Sequence, residues 1–189
     1  GAPPAGCRPA PPRPRLSSVE VVGRRLAHRL PWLLVGLVGA VVSAAVVAGF
    51  EADLERTVQL AFFLPGIVYL ADAVGTQTET LVVRGLSVGV RVRGMARREL
   101  ATGLAVGALL GTLGFAGALL GFGEVRLATV VGLSLLAACS VATAVALTLP
   151  WLLHRSGTDP AFGSGPLATV VQDLLSIAIY LGLASVLLR

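Results

Sequence analysis

Five long runs of apolar residues, separated by short polar segments, follow one another along most of the chain. They cover about residues 31–49, 57–83, 98–120, 125–153 and 166–188. A helix needs roughly 20 predominantly apolar residues to cross a bilayer, and each run is about that long. The pattern therefore predicts an all-α integral membrane protein with five transmembrane helices per subunit.

The residues before the first run have a different character. Proline is too frequent in residues 1–15 for a helix, so we expect a disordered tail there. Residues 18–29 are expected to form a short basic amphipathic helix at the membrane surface. We therefore predict a disordered or partly helical basic segment at residues 1–29 and a five-helix transmembrane domain at residues 30–189.

Composition supports a membrane environment. Hydrophobic residues make up 55% of the chain and charged residues only 13%, whereas soluble domains carry roughly 25% charged residues. The mean hydropathy is +0.84. A chain with so little polar surface cannot coat a water-soluble globule, so the lipid bilayer is the expected partner.

Every basic residue is an arginine, and most arginines flank the predicted spans on one side. One group precedes the first span (Arg8, Arg13, Arg15, Arg24, Arg25, Arg29), and another separates the second and third spans (Arg84, Arg91, Arg93, Arg97, Arg98). Because arginine-rich connections remain cytoplasmic, we expect the N-terminus inside and the C-terminus outside, in the plasma (inner) membrane. Topology thus accounts for the net charge of +5, and no nucleic-acid partner is expected.

Signs of enzyme chemistry are lacking in the sequence. Cys7 lies in the proline-rich tail. Cys139 lies inside an apolar run, where it is predicted to be a small core residue. The glycines of the third span recur at a spacing of three or four, which predicts close helix packing (Gly103, Gly107, Gly111, Gly114, Gly117, Gly121). A phosphate-binding loop needs a lysine, which this chain does not contain. We therefore predict that the protein is not an enzyme.

Three carboxylates fall inside the predicted spans: Asp72, Glu79 and Asp173. An acid at the bilayer centre costs about 2.5–3.5 kcal/mol on insertion scales and usually marks an ion or substrate route. No arginine lies nearby in these spans, so a cation is the expected counter-charge. The alternative for each acid is a protonated, hydrogen-bonded carboxyl that joins helices, or, for Glu79, a carboxylate that reaches water at the span end.

Helical spacing groups these acids with hydroxyl side chains. One face of the second span carries Asp72, Thr76, Glu79 and Thr80, and one face of the fifth carries Thr169, Asp173, Ser176 and Tyr180. Oxygen ligands in a line suit a hard cation such as Mg²⁺ or Ca²⁺, whereas softer metals favour Cys and His. The alternative for the Ser and Thr residues is a hydrogen bond to their own helix backbone.

Two separated stretches resemble the MgtE family of magnesium channels. The second span contains Ala61-Phe62-Phe63-Leu64-Pro65, Gly75-Thr76-Gln77 and Val82-Val83-Arg84-Gly85-Leu86, and the region of the fifth contains Asp159-Pro160-Ala161, Ser164-Gly165-Pro166, Thr169, Asp173 and Tyr180. A weaker likeness is Leu30-Pro31-Trp32-Leu33 at the start of the first span. The resemblance covers about residues 29–189.

The resemblance implies a homodimer whose pore is lined by the second and fifth spans. It also implies that Asp173 holds a largely hydrated magnesium ion in the pore, helped by oxygens near Thr169. The chain departs from the family pattern at Asp72-Ala73-Val74, where Gly-Asn-Ala is usual, and at Glu79 and Val170. Family members also carry cytoplasmic sensor domains, so the resemblance implies either a membrane domain separated from them or a branch without them.

We therefore interpret residues 30–189 as an ion-transport domain that moves a divalent cation inward. Mg²⁺ is the expected ion, with Mn²⁺, Co²⁺ or Ca²⁺ as the other candidates. The expected metal ligands are Asp173, Thr169, Asp72, Thr76 and Glu79. Two alternatives stay open: an exchanger or exporter coupled to Na⁺ or H⁺, and a membrane protein that binds metal without conducting it.

Overall fold

The computed structural model describes residues 22–87, 92–156 and 160–188, and all regular structure in these ranges is helical. The helices are α1 (Val22–Ala48), α2 (Glu51–Arg56), α3 (Gln59–Ser87), α4 (Val92–Phe122), α5 (Val125–Arg155) and α6 (Pro160–Leu187). All except α2 contain a stretch long and apolar enough to cross a membrane. The predicted all-α fold with five transmembrane helices is therefore confirmed.

The helix ends differ from the predicted spans at several places. The first helix is continuous from Val22, so the residues preceding its apolar stretch extend it without a break. The sixth helix begins at Pro160, before the predicted start at residue 166. The acidic connection after the first span forms the short helix α2. Residues 1–21 lie outside the described part, and the division at residue 30 stays a prediction.

Helix α5 lies at the centre of the bundle and packs against α4, α3 and α6. Its buried side chains, among them Leu127, Val131 and Leu135, belong to the main apolar cluster of the described residues. Cys139 is buried in this helix, as predicted for a small core residue. Helix α1 packs mainly against α6, so much of its surface is open.

Glycines allow α4 to approach α5 closely. A Cβ on Gly103 would collide with the side chain of Thr143, and a Cβ on Gly111 would lie 2.6 Å from the carbonyl oxygen of Gly132. Gly107 and Gly114 also face α5, whereas Gly117 and Gly121 have open space where a side chain would be. The predicted packing role is confirmed for the first four glycines of the series, which lie along the α5 contact.

Helices α3 and α6 run antiparallel to each other. Near the start of α3 and the end of α6, the hydroxyl of Tyr180 donates a hydrogen bond of 2.9 Å to the carbonyl oxygen of Leu60. Nearer the middle of both helices, the side chain of Gln172 packs against Gly75. These two contacts fix which residues of α3 and α6 lie at the same depth in the bundle.

Candidate ion-binding site between helices α3 and α6

Asp72 and Asp173 lie near the middle of α3 and α6, at similar depth in the bundle. Each side chain is half-buried, and the two carboxyl groups are near enough to interact electrostatically. The Oδ1 atom of Asp72 is buried and has no hydrogen-bond partner among the described residues. The structure therefore brings two of the predicted site residues near each other.

The other predicted ligands lie on one side of this acid pair. Because α3 and α6 are antiparallel, Thr76 and Glu79 follow Asp72 toward the same side on which Thr169 precedes Asp173. Thr76 is exposed, while Glu79 and Thr169 are half-buried. These three residues therefore lie on the same side of the two aspartates along the bundle.

Two hydroxyl residues grouped with Asp173 by helical spacing belong to the packed interior instead. Ser176 and Tyr180 are buried, and Tyr180 is bonded to the backbone of α3. On α3, the Thr80 hydroxyl donates to the carbonyl oxygen of Thr76 within its own helix. The hydroxyl groups of Tyr180 and Thr80 are thus engaged in helix structure rather than facing the acid pair.

Sequence reasoning missed Gln172, which precedes Asp173 on α6. Its side chain is only 2% exposed, and its amide lies against the backbone of α3 at Gly75. Its Oε1 atom has no hydrogen-bond partner in the described part of the chain. The available signal was an amide side chain inside an apolar span, which is uncommon without a partner.

The metal-binding capacity of one copy is limited. Within residues 22–87, 92–156 and 160–188, no group of three or more His, Cys, Asp or Glu side chains is placed to hold a metal ion. The acid pair therefore supplies two carboxylates and leaves further ligand positions to water or other oxygens. Such a site suits a hard, largely hydrated cation better than a tightly caged metal.

This bundle of five helices, each long and apolar enough to cross a membrane, defines a polytopic helical membrane protein. Residues 64–183 match the family model described as MgtE: Divalent cation transporter. The chain belongs to this MgtE family, and the resemblance inferred from its motifs is confirmed.

Three similar proteins carry the description Magnesium transporter MgtE. The protein of Bacillus subtilis is 35% identical over 162 residues, covering 84% of this chain and 36% of the relative. That of Thermus thermophilus is 36% identical over 164 residues, covering 85% and 36%. That of Enterococcus faecalis is 32% identical over 167 residues, covering 86% and 37%. The chain thus spans about a third of the length of these relatives.

Proposed function

We propose that this chain forms the ion-conducting part of a divalent-cation transporter and passes Mg²⁺ across the bilayer at the α3–α6 contact. The observation that carries the proposal is the pairing of Asp72 with Asp173 in the middle of two membrane-crossing helices. The family match to divalent cation transporters and the description of the relatives as magnesium transporters support the choice of ion.

Electrostatics explains why the acid pair favours a divalent cation. Each carboxylate near the bilayer centre costs about 2.5–3.5 kcal/mol, and the two repel each other when both are ionised. A cation with two charges neutralises both acids at once. Mg²⁺ dehydrates reluctantly and keeps several waters, so it can be held by one or two carboxylates while its remaining positions stay hydrated.

The proposed pore lies on the two-fold axis of a homodimer. Thr76 is exposed on α3 one helical turn beyond Asp72, and a polar group is poorly suited to contact with lipid tails. A second copy placed against this face would enclose a water-filled path lined by α3 and α6. The acid pair of each copy would then border this path, with Asp173 as the central carboxylate and with Thr76, Glu79 and Thr169 binding the waters of the ion.

The arginine distribution supports a cytoplasmic N-terminus in the plasma (inner) membrane. In that orientation the membrane potential drives cations inward. The driving energy is about 2.3 kcal/mol per elementary charge for each 100 mV, and it doubles for a divalent ion. Inward conduction therefore needs no coupled sodium or proton gradient.

Uptake of Mg²⁺ into proteoliposomes tests this function. Wild-type protein and Asp173→Asn are compared under an applied membrane potential without a pH or sodium gradient, and Asp53→Asn on α2 serves as the matched control. We expect uptake by the wild type and by Asp53→Asn and loss of most uptake in Asp173→Asn. Uptake that requires a proton or sodium gradient would instead identify an exchanger, and metal binding without any uptake would identify a non-conducting protein.

A further inference from the structure

The amide of Gln172 occupies an unusual position for a polar side chain in a membrane-crossing helix. The residue is 2% exposed, and a Cβ on Gly75 would collide with its Oε1 and lie 2.6 Å from its Cδ. The absence of a side chain at Gly75 therefore makes room for the amide group. The amide is thus directed at α3, one helical turn beyond Asp72.

Two buried oxygens near this contact have no hydrogen-bond partner in the described part of the chain: Oε1 of Gln172 and Oδ1 of Asp72. When Asp72 is ionised, its carboxylate oxygen and the amide oxygen of Gln172 are both acceptors, so these two atoms cannot satisfy each other. Leaving a buried acceptor unpaired is unfavourable, and more so for a charged group. A bound cation would satisfy both atoms together.

We propose that Gln172 is a metal ligand, and that its Oε1 atom forms an oxygen site within one subunit together with the carboxylates of Asp72 and Asp173. The inference rests on the proposed divalent-cation function and adds a neutral ligand to the acid pair. Gln172 directly precedes Asp173 on α6, and the Asp173 carboxyl interacts with that of Asp72. The site therefore takes two ligands from α6 and one from α3.

A neutral protein oxygen in this site changes the relative affinities of the site for different divalent cations. A ligand in direct contact replaces a water, which Ca²⁺ and Mn²⁺ tolerate more readily than Mg²⁺, because Mg²⁺ dehydrates reluctantly. Gln172 then contributes more to the binding of Ca²⁺ and Mn²⁺ than to that of Mg²⁺. The residue is a determinant of ion selectivity as well as a ligand.

Equilibrium binding to the purified chain in nanodiscs tests this ligand without requiring conduction. Bound Mn²⁺ is measured through the loss of the electron paramagnetic resonance signal of the free ion, and Ca²⁺ and Mg²⁺ by competition. For Gln172→Leu, which keeps similar volume but has no oxygen, we expect affinity for Mn²⁺ and Ca²⁺ to fall by about tenfold or more. The affinity for Mg²⁺ is expected to fall less.

Two further variants make the result specific. Gln172→Glu keeps an oxygen at this position and should retain Mn²⁺ binding, whereas Gly75→Ala should reproduce the selective loss because the new methyl group displaces the amide. Wild-type binding in Gln172→Leu, or an equal loss for all three ions, would overturn the proposal. A selective loss of binding in a chain that shows no uptake in proteoliposomes would support the ligand and refute the conducting function.

Discussion

Tyr180 shows how a single buried hydroxyl joins two membrane-crossing helices. Its hydroxyl donates a hydrogen bond to a backbone carbonyl of α3. The hydroxyl of Thr143, which is also buried, donates instead to a carbonyl oxygen of its own helix. Replacing Tyr180 by Phe removes this bond and should lower the free energy of unfolding by about 1 kcal/mol. Unfolding in mixed detergent micelles measures the change.

The matched control for Tyr180→Phe is Tyr69→Phe, because Tyr69 is 71% exposed. This second variant should unfold like the wild type. Equal effects of the two substitutions would contradict a specific role for the bond between Tyr180 and the backbone of Leu60.

At the residue scale, the sequence singles out Asp72 and Asp173 because an acid in an apolar span has a high cost that something must offset. Their role in ion binding stays a prediction. It could not predict which half of a helical face meets a neighbouring helix. Ser176 and Tyr180 were therefore grouped with Asp173 although they are buried. Gln172 was missed because a neutral amide in a span gives a weaker signal than a charge.

Contact between α4 and α5 depends on glycine where the two backbones meet. A Cβ on Gly111 would lie 2.6 Å from the carbonyl oxygen of Gly132, and backbone atoms cannot move aside as a side chain can. Gly111→Ala should therefore destabilise the protein by about 1–3 kcal/mol. In a Cys7→Ser background, a thiol-reactive dye can report the melting temperature, because Cys139 is buried until the protein unfolds.

Gly117→Ala on the same helix is the control for Gly111→Ala. No atom lies within 4 Å of the position of its new methyl group. The higher helix propensity of alanine should leave the melting temperature unchanged or raise it, by up to about 1 kcal/mol in stability. A melting temperature for Gly111→Ala equal to that of the wild type would contradict the close backbone contact.

At the element scale, hydropathy predicted the five spans because each apolar run is about as long as a helix needs to be to cross a bilayer. The ends were less predictable, because helices α1 and α6 continue into polar sequence at Val22 and Pro160. Helix α2 could not be predicted from periodicity, since its six residues are too few to show a helical period. Glycine spacing predicted close packing in α4 but not that Gly117 stands outside the contact.

At the scale of the whole molecule, the polar face of α3 that carries Thr76 is exposed in a single copy of the chain. A two-fold interface places the same residue of both copies near the symmetry axis. In a Cys7→Ser background, Thr76→Cys should therefore form a disulfide-linked dimer under mild oxidation in membranes, detected by gel electrophoresis. Leu109→Cys, on the 61% exposed surface of α4, should remain monomeric.

Equal cross-linking of the two cysteine variants, or none in Thr76→Cys, would contradict a dimer that closes over α3. The sequence predicted this dimer only through its resemblance to the family. Periodicity alone could not predict it, because a helix face covered by another copy and one covered by lipid can have similar apolar composition. The exposed Thr76, one helical turn beyond Asp72, is the local feature that favours the proposed dimer contact over lipid at this face.

The most direct test of the account is the reversal potential of the purified protein in a planar bilayer with unequal Mg²⁺ concentrations and no other permeant cation gradient. A pore selective for a divalent cation predicts a reversal potential of about 30 mV for each tenfold concentration ratio. The current should be lost in Asp173→Asn. A reversal potential at zero, or a current that persists unchanged in Asp173→Asn, would contradict divalent-cation conduction through a pore at Asp173.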